Sequence, residues 1–194
     1  PVLTEDGIHY VPVTQRVTDL LLGLPAEAHD VYRQTYEHPA RQTLDLLRET
    51  QFDQSLDGLE ELYRRYPVGP GGIDALQLAA YRALVLGYFA RASATHHQLV
   101  HATGGLVGAG LKTTKRENAS LLARSVLTFL RAGEHKQAER LLERLQSKHA
   151  DDFFAVGGQP VSGRAFASHE LIERHRHRKA PEAQAFRWSG PRGR

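Results

Sequence analysis

His97 and His101 stand four residues apart, the spacing at which two imidazoles on one helical face can share a metal ion. No Glu accompanies them as it does in zinc-protease helices, and no third ligand is evident, so they read as solvated or groove-lining histidines. His169, His175 and His177 lie among arginines, whose charge disfavours a bound cation. The stretch GGLVGAGLKTT, residues 104–114, nearly spells a phosphate-binding loop. Gly105 and Gly110 have the required separation, but Leu111 stands where Lys is needed and Lys112-Thr113 come one position late. The segment before it reads as helix rather than strand, which removes the context of the backbone cradle, and a long interhelix loop is the better account. No nucleophile elbow surrounds any Ser, and the absence of Cys excludes disulfides, thiolate metal sites and a thiol nucleophile. We therefore assign no catalytic residue, no cofactor and no metal from the sequence.

The remaining chemistry-bearing stretch is ERHRHRKAPEAQAFRW, residues 173–188, which combines arginines with Phe186 and Trp188, the ingredients of a weak nucleic-acid surface. The chain carries a formal charge of +3, and residues 164–194 hold eight Lys or Arg against three Glu, an excess of +5 that leaves −2 on residues 1–163. Basic character thus belongs to the tail alone. The apolar-looking run Ala75–Ala94 is broken by Gln77, Arg82, Gly87 and Arg91, so it is not a membrane span. The chain begins at Pro1 and contains no Met, which we read as a processed or excised fragment.

What must position these residues is a succession of helices. Apolar positions at three- and four-residue spacing predict helices over 13–23, 25–37, 39–50 with Pro39 at its start, one that begins at Asp53 or Ser55 and ends before Pro67, and then 73–86, 89–103, 115–131 and 134–149. YPVGPGG, residues 66–72, reads as a loop. FFAVGGQPVSGRAF predicts a β-hairpin about a Gly-Gly turn, with any sheet confined to about 153–161, and a last helix over 164–178.

A shared template links the helices. Gly133 is followed by Ala138 at five, Leu142 at nine and Leu145 at twelve; Gly87 is followed by Ala92, His96 and Leu99 at the same offsets; Thr50, a weaker turn residue, is followed by Ser55, Leu59 and Leu62. Two antiparallel helices joined by a tight turn approach closely just beyond it, so a small residue is required there, and a Gly at the turn supplies the left-handed end of the first helix. The predicted fold is all-α in the main. It consists of tetratricopeptide-like antiparallel helical hairpins stacked as a short solenoid, with a small C-terminal β-hairpin and helix. Residues 1–150 form the helical repeat domain, 151–180 a hairpin-helix appendage and 181–194 a linker. The repeat cores draw on Leu44, Leu59, Leu78, Leu86, Leu122, Leu142 and Leu145, all upstream of the basic tail, so removal of residues after Arg164 is expected to leave the repeats folded.

A narrower resemblance rests on YVPVTQRVTDLLLGLPAEAHDVYRQTYEHPARQTL and LEELYRRYPVGPGGIDAL, the order LLxLPxEAxxxYRxxYE, a degenerate repeat, then YRRYPxxPGG. Over roughly residues 10–160 the chain resembles the helical N-terminal region of bacterial, planctomycete-type proteins that end in a pyrroloquinoline-quinone-like β-propeller. RWSGPRGR resembles the entry to a first propeller strand. The resemblance implies an exported or envelope-associated, periplasmic host; the alternative is a cytoplasmic adaptor.

These observations point to a non-catalytic protein-interaction or scaffold module that holds a protein or peptide partner on its concave helical face. The expected contacts are exposed polar positions on the first helix of each pair: Gln42, Arg48, Gln77, Arg82 and Arg124. The alternative is a nucleic-acid-binding adaptor that uses the basic C-terminal tail. The template makes its own prediction. Ala138→Leu should overpack the Gly133 hairpin and cost about 1–3 kcal/mol, whereas Gln146→Leu should cost little; thermal melts that agree for the two variants would refute the register.

Overall fold

The structure, a computed structural model, describes residues 2–3, 10–11, 13–108 and 115–176. A short antiparallel pair, β1 (Val2–Leu3) and β2 (Tyr10–Val11), precedes α1 (Val13–Leu22) and α2 (Ala26–Glu49). There follow α3 (Phe52–Arg65), α4 (Pro70–Val85), α5 (Phe89–Gly108), α6 (Lys115–Ala132) and α7 (His135–Lys148). The described chain closes with β3 (Phe153–Val156), β4 (Gln159–Ser162), α8 (Gly163–Phe166) and α9 (Glu170–Arg176). Each helix from α2 to α7 packs on its sequence neighbours, which stacks the antiparallel hairpins α2–α3, α4–α5 and α6–α7 in order.

Two of the three joints are built alike. Gly87 and Gly133 have φ of 80° and 81°, the left-handed conformation that costs glycine least. After each, two backbone bonds close the preceding helix: Tyr88 N–H to the Ala83 carbonyl (2.8 Å) with Gly87 N–H to Leu84, and Glu134 N–H to Phe129 (2.8 Å) with Gly133 N–H to Leu130. Five residues on, Ala92 and Ala138 are fully buried, as is Ser55 in the first pair, and Leu99, Leu59, Leu62, Leu142 and Leu145 are buried at the later offsets. The template read from the sequence is the packing register of the molecule.

The first joint lacks a glycine, and its α2 carbonyls are closed by side chains instead. Thr50 is extended, so the last carbonyls of α2 have no left-handed cap. The Thr50 hydroxyl bonds the Leu46 carbonyl (3.1 Å), and Arg82, from the last turn of α4, donates to the Leu47 (2.9 Å) and Arg48 (2.8 Å) carbonyls and to the Ser55 hydroxyl. Arg82 is only 2% exposed, and its guanidinium lies 4.6 Å from the centre of the Phe52 ring. A cation at the negative end of a helix dipole complements it. Burial pushes the Arg82 pKa down, the direction expected when a charge is held by neutral carbonyls rather than by a carboxylate.

Several expectations are corrected. Pro39 lies inside α2 rather than at a helix start; the proline forfeits one backbone bond, and the burial of Ala40 and Leu44 against Leu59, Leu62, Ala75 and Ala79 outweighs it. The loop ends at Gly69, because Pro70 suits a first helical position and the glycines after it admit close neighbours. A Cβ on Gly72 would lie 1.8 Å from the Tyr66 carbonyl oxygen. Helix α5 continues past Thr103 to Gly108, while residues 109–114 lie outside the described residues. The β1–β2 pair adds sheet outside 153–161. The predicted hairpin is present, with Gly157 and Gly158 both at positive φ in a two-residue turn, but the helix after it is split into α8 and α9. Leu86 is exposed rather than a core residue.

The segment after Asp152 is part of the helical core. Phe154, Phe166 and Ile172 are buried in one cluster with Val126, Phe129, Ala138, Leu142 and Leu145, the two rings meeting edge to face at 5.1 Å. Cutting the chain after Arg164 would therefore remove Phe166 and Ile172 from that core, and the expected tolerance of that truncation is withdrawn. Among the described residues no helix is long and apolar enough to cross a membrane.

Arg82→Met should leave the buried Ser55 hydroxyl and the part-buried Leu47 and Arg48 carbonyls without their donor and cost about 1–3 kcal/mol. Arg82→Lys should recover less than half of that, since an ammonium lacks the planar fork that reaches two carbonyls and a hydroxyl together. Urea unfolding of the three proteins measures this; equal midpoints for Arg82→Met and wild type would overturn the capping role.

Candidate functional site

A cleft of about 650 Å³ lies between α1, α3, α5 and α7, with Phe129 of α6 at its base. Its apolar floor comes from Tyr63, Ala94, Val100, Phe129 and Leu141. Helix α1 forms one wall because Leu21 and Leu22 pack against a cluster containing Tyr63, Leu99 and Ala102. The Thr18 and Tyr63 side chains are hydrogen-bonded, and His101 Nε2 lies 3.4 Å from the Asp19 carboxylate. This arrangement leaves Val13, Val17 and Leu20, the apolar stripe of α1, exposed, with Leu24 just beyond the helix exposed as well.

Polar groups of the cleft are held by one another. Arg91 Nε donates to Glu60 (2.7 Å), and its Nη2 donates to Asp57; the bond to Glu60 is the leading reason its pKa is raised. His97 Nε2 lies 2.8 Å from Glu134 Oε2, and the Ser93 hydroxyl donates to the other oxygen of the same carboxylate. The His97 ring lies on Phe129, centroids 4.5 Å apart. Burial pushes the Glu134 carboxyl up, but the hydrogen bonds from Ser93 and His97 and the His97 charge outweigh it, and the net shift is downward.

One layer deeper, His96 Nδ1 is 2.9 Å from Ser125 Oγ. The Ser125 hydroxyl donates to the Leu121 carbonyl (2.9 Å), so the imidazole must be the donor to Ser125. Burial, with the positive charges of Arg124 and His97 behind it, lowers the His96 pKa to about 4, and the ring is neutral at physiological pH.

This geometry sorts the residues singled out from the sequence. His97 and His101 do line a groove, each turned to a different carboxylate, and among the described residues no group of three or more potential ligands could hold a metal ion. None of the five expected contact residues lines the cleft. Gln42, Gln77 and Arg124 are exposed on α2, α4 and α6, Arg48 pairs with Asp45, and Arg82 is buried as a structural group. Apart from Phe129 of α6, the cleft is lined by α1 and by the second helix of each pair rather than the first, because α1 packs along that side.

Residues missed from the sequence are Glu60 and Arg91, 31 apart, and Glu134, 37 beyond His97. Opposite charges separated by about one repeat were the available signal. In the tail, Arg164, Arg174 and Arg176 pair with Asp151, Glu170 and Glu139 respectively, while Phe186 and Trp188 lie outside the described residues. Comparison of the chain with protein families, with curated proteins and with solved structures yields no match.

The His96 shift carries a pH prediction. An unfolded histidine takes up a proton below about 6.5, whereas the folded one resists until about 4, so His96 contributes no penalty at neutral pH and stability is lost as pH falls between those values, by on the order of 3 kcal/mol. Glu134, shifted downward, acts in a lower window: its stabilisation is present above the ordinary carboxyl pKa and is lost below it. His96→Gln should flatten the dependence between pH 6.5 and 4 while leaving the more acidic limb. Urea unfolding across pH tests this, and a variant as steep as wild type between pH 6.5 and 4 would refute it.

Proposed function

We propose that this chain is a protein-interaction module that grips an extended or helical segment of a protein partner in the cleft between α1, α3, α5 and α7. The observation that carries this is the pairing of an apolar floor, centred on Tyr63 and Phe129, with walls whose charged groups are already held in place. A partner would bury apolar surface on that floor without reorganising the walls, which lowers the cost of binding.

The same arrangement speaks for a non-catalytic role. The Ser93 proton is directed to Glu134 and not to a histidine, Ser93 is buried, and the cleft imidazoles are bonded to carboxylates rather than to a nucleophile. In the host that the propeller resemblance implies, the module would hold a partner beside the propeller in the cell envelope.

The test is selection of peptides from a random display library on the 194-residue chain, followed by affinity measurement on Ala94→Trp, whose indole would fill the floor. Selected peptides should lose at least about tenfold in affinity, the scale of one central contact. Peptides that bind the variant as well as wild type, or tight and salt-resistant DNA or RNA binding by the chain, would overturn the proposal.

A further inference from the structure

A second surface lies on the other side of the α4–α5 hairpin from the cleft, and it differs in chemistry. Tyr81 and Val85 on α4, Leu86 at its end, Tyr88 in the joint and Phe89 at the start of α5 are all large, apolar and 36–56% exposed. Phe52 joins them, its ring 6.4 Å from that of Tyr81 and edge-on to it. Between Asp74 and Arg91 the only charged residue is Arg82, which is buried beneath Phe52 and bonded to α2. In a chain that is 24% charged, sixteen successive residues thus present no charge to solvent.

Extent and charge together define what covers this patch. Taking about 200 Å² for an aromatic side chain, the six residues expose on the order of 500 Å² of mostly apolar surface. A standard interface buries about 800 Å² per partner, somewhat more than half of it apolar, so the patch supplies the apolar core of one such interface. A two-fold contact apposes each residue near the axis with its own kind, which penalises a charged patch and leaves an uncharged one unpenalised. The flanking α2–α3 joint supplies a mixed rim, with Arg48, Asp45, Glu49 and Asp53 exposed at its edge. The rings are also fixed in advance: Tyr88 and Phe89 ride on the Gly87 turn with its two closing bonds, and Phe52 is seated on Arg82.

We propose that the patch formed by Phe52, Tyr81, Val85, Leu86, Tyr88 and Phe89 is a self-association surface through which two copies of this chain form a symmetric dimer. The inference is independent of what the cleft binds. Dimerisation leaves the cleft residues of α5 unburied, since they face the opposite side of the hairpin.

Sedimentation equilibrium of the 194-residue chain should give a species of twice 21.6 kDa that dissociates on dilution, with a Kd of micromolar order or tighter, as such areas give. Tyr81→Glu and Val85→Glu should weaken self-association about 100-fold with an unchanged far-UV spectrum and melting temperature. Tyr81→Phe and the cleft variant Ala94→Trp should leave it intact, which separates failure of this inference from failure of the cleft reading. Because the chain has no cysteine, Gln77→Cys places one nitroxide at the patch edge without altering a core residue. Its dipolar coupling to a second label should appear in the dimer and vanish on dilution. A wild-type chain that stays at 21.6 kDa at roughly 100 µM, well above a micromolar Kd, overturns the inference. So does a folded Tyr81→Glu or Val85→Glu protein that associates as wild type, a label pair without coupling, or co-sedimentation with phosphatidylcholine vesicles in place of self-association.

Discussion

The contact on which the stack depends is the grip of Arg82 on the end of α2. A helix that stops beside others leaves its last carbonyls without intrahelical partners, and those shielded by the packing must find a donor. At the Gly87 and Gly133 joints the backbone provides it by turning left-handed and folding back on its own helix. At the first joint the donor comes from α4, 34 and 35 residues away in sequence. The end of one hairpin is therefore closed by the body of the next. The first two pairs cannot slide past each other without unpairing a buried guanidinium from two part-buried carbonyls, a larger penalty than any single surface contact imposes.

Weaker contacts repeat the same offset along both rows of helices. On the α2–α4 side, Glu37 accepts from the Gly71 N–H (3.2 Å) and Arg41 reaches Asp74. On the other side Arg91 reaches back to Glu60 and His97 forward to Glu134. Each of these pairs is partly exposed and contributes little alone. Their common effect is register: all join a residue to its counterpart about one repeat away, and the cleft floor falls where the second row, α3, α5 and α7, is bridged at both ends. Helix α1 completes the site because its Leu21 and Leu22 have somewhere to go only on that row.

What was legible in the sequence follows from range. The Gly87 and Gly133 turns, the small residues five positions on and the Gly157-Gly158 hairpin are set by local backbone geometry and were read correctly. Pro39 and the Pro70 helix start were misread because tertiary burial of Ala40 and Leu44, and the close approach of Gly72 to Tyr66, outweigh local punctuation. The cleft lies on the row opposite the expected contact residues for a related reason. Periodicity says which residues of a helix are alike but not which neighbour they meet, and α1, whose exposed stripe is more regular than its buried one, gives no sign of the side on which it lies. Arg82 shows the limit most clearly: an arginine amid alanines looks like a surface contact until the open end of α2 is known to lie beside it.

The α4–α5 hairpin concentrates these effects. Its interior is made largely of alanine: Ala75, Ala79, Ala80, Ala83, Ala92 and Ala102 are all fully or nearly fully buried. Such residues contribute little hydrophobic transfer energy apiece but lose no side-chain entropy, and they let helix backbones approach closely. The hairpin is consequently held by shape more than by bulk, and it tolerates added volume poorly. That constraint drives the larger apolar groups of the hairpin outward. Tyr81, Val85, Tyr88 and Phe89 cannot be accommodated between helices packed on alanine, so they stand at the surface, while α5 turns His97, Gln98 and His101 toward the cleft. The two surfaces of this hairpin are thus consequences of one close crossing, and the residue that permits the crossing, Ala92, is itself fully buried.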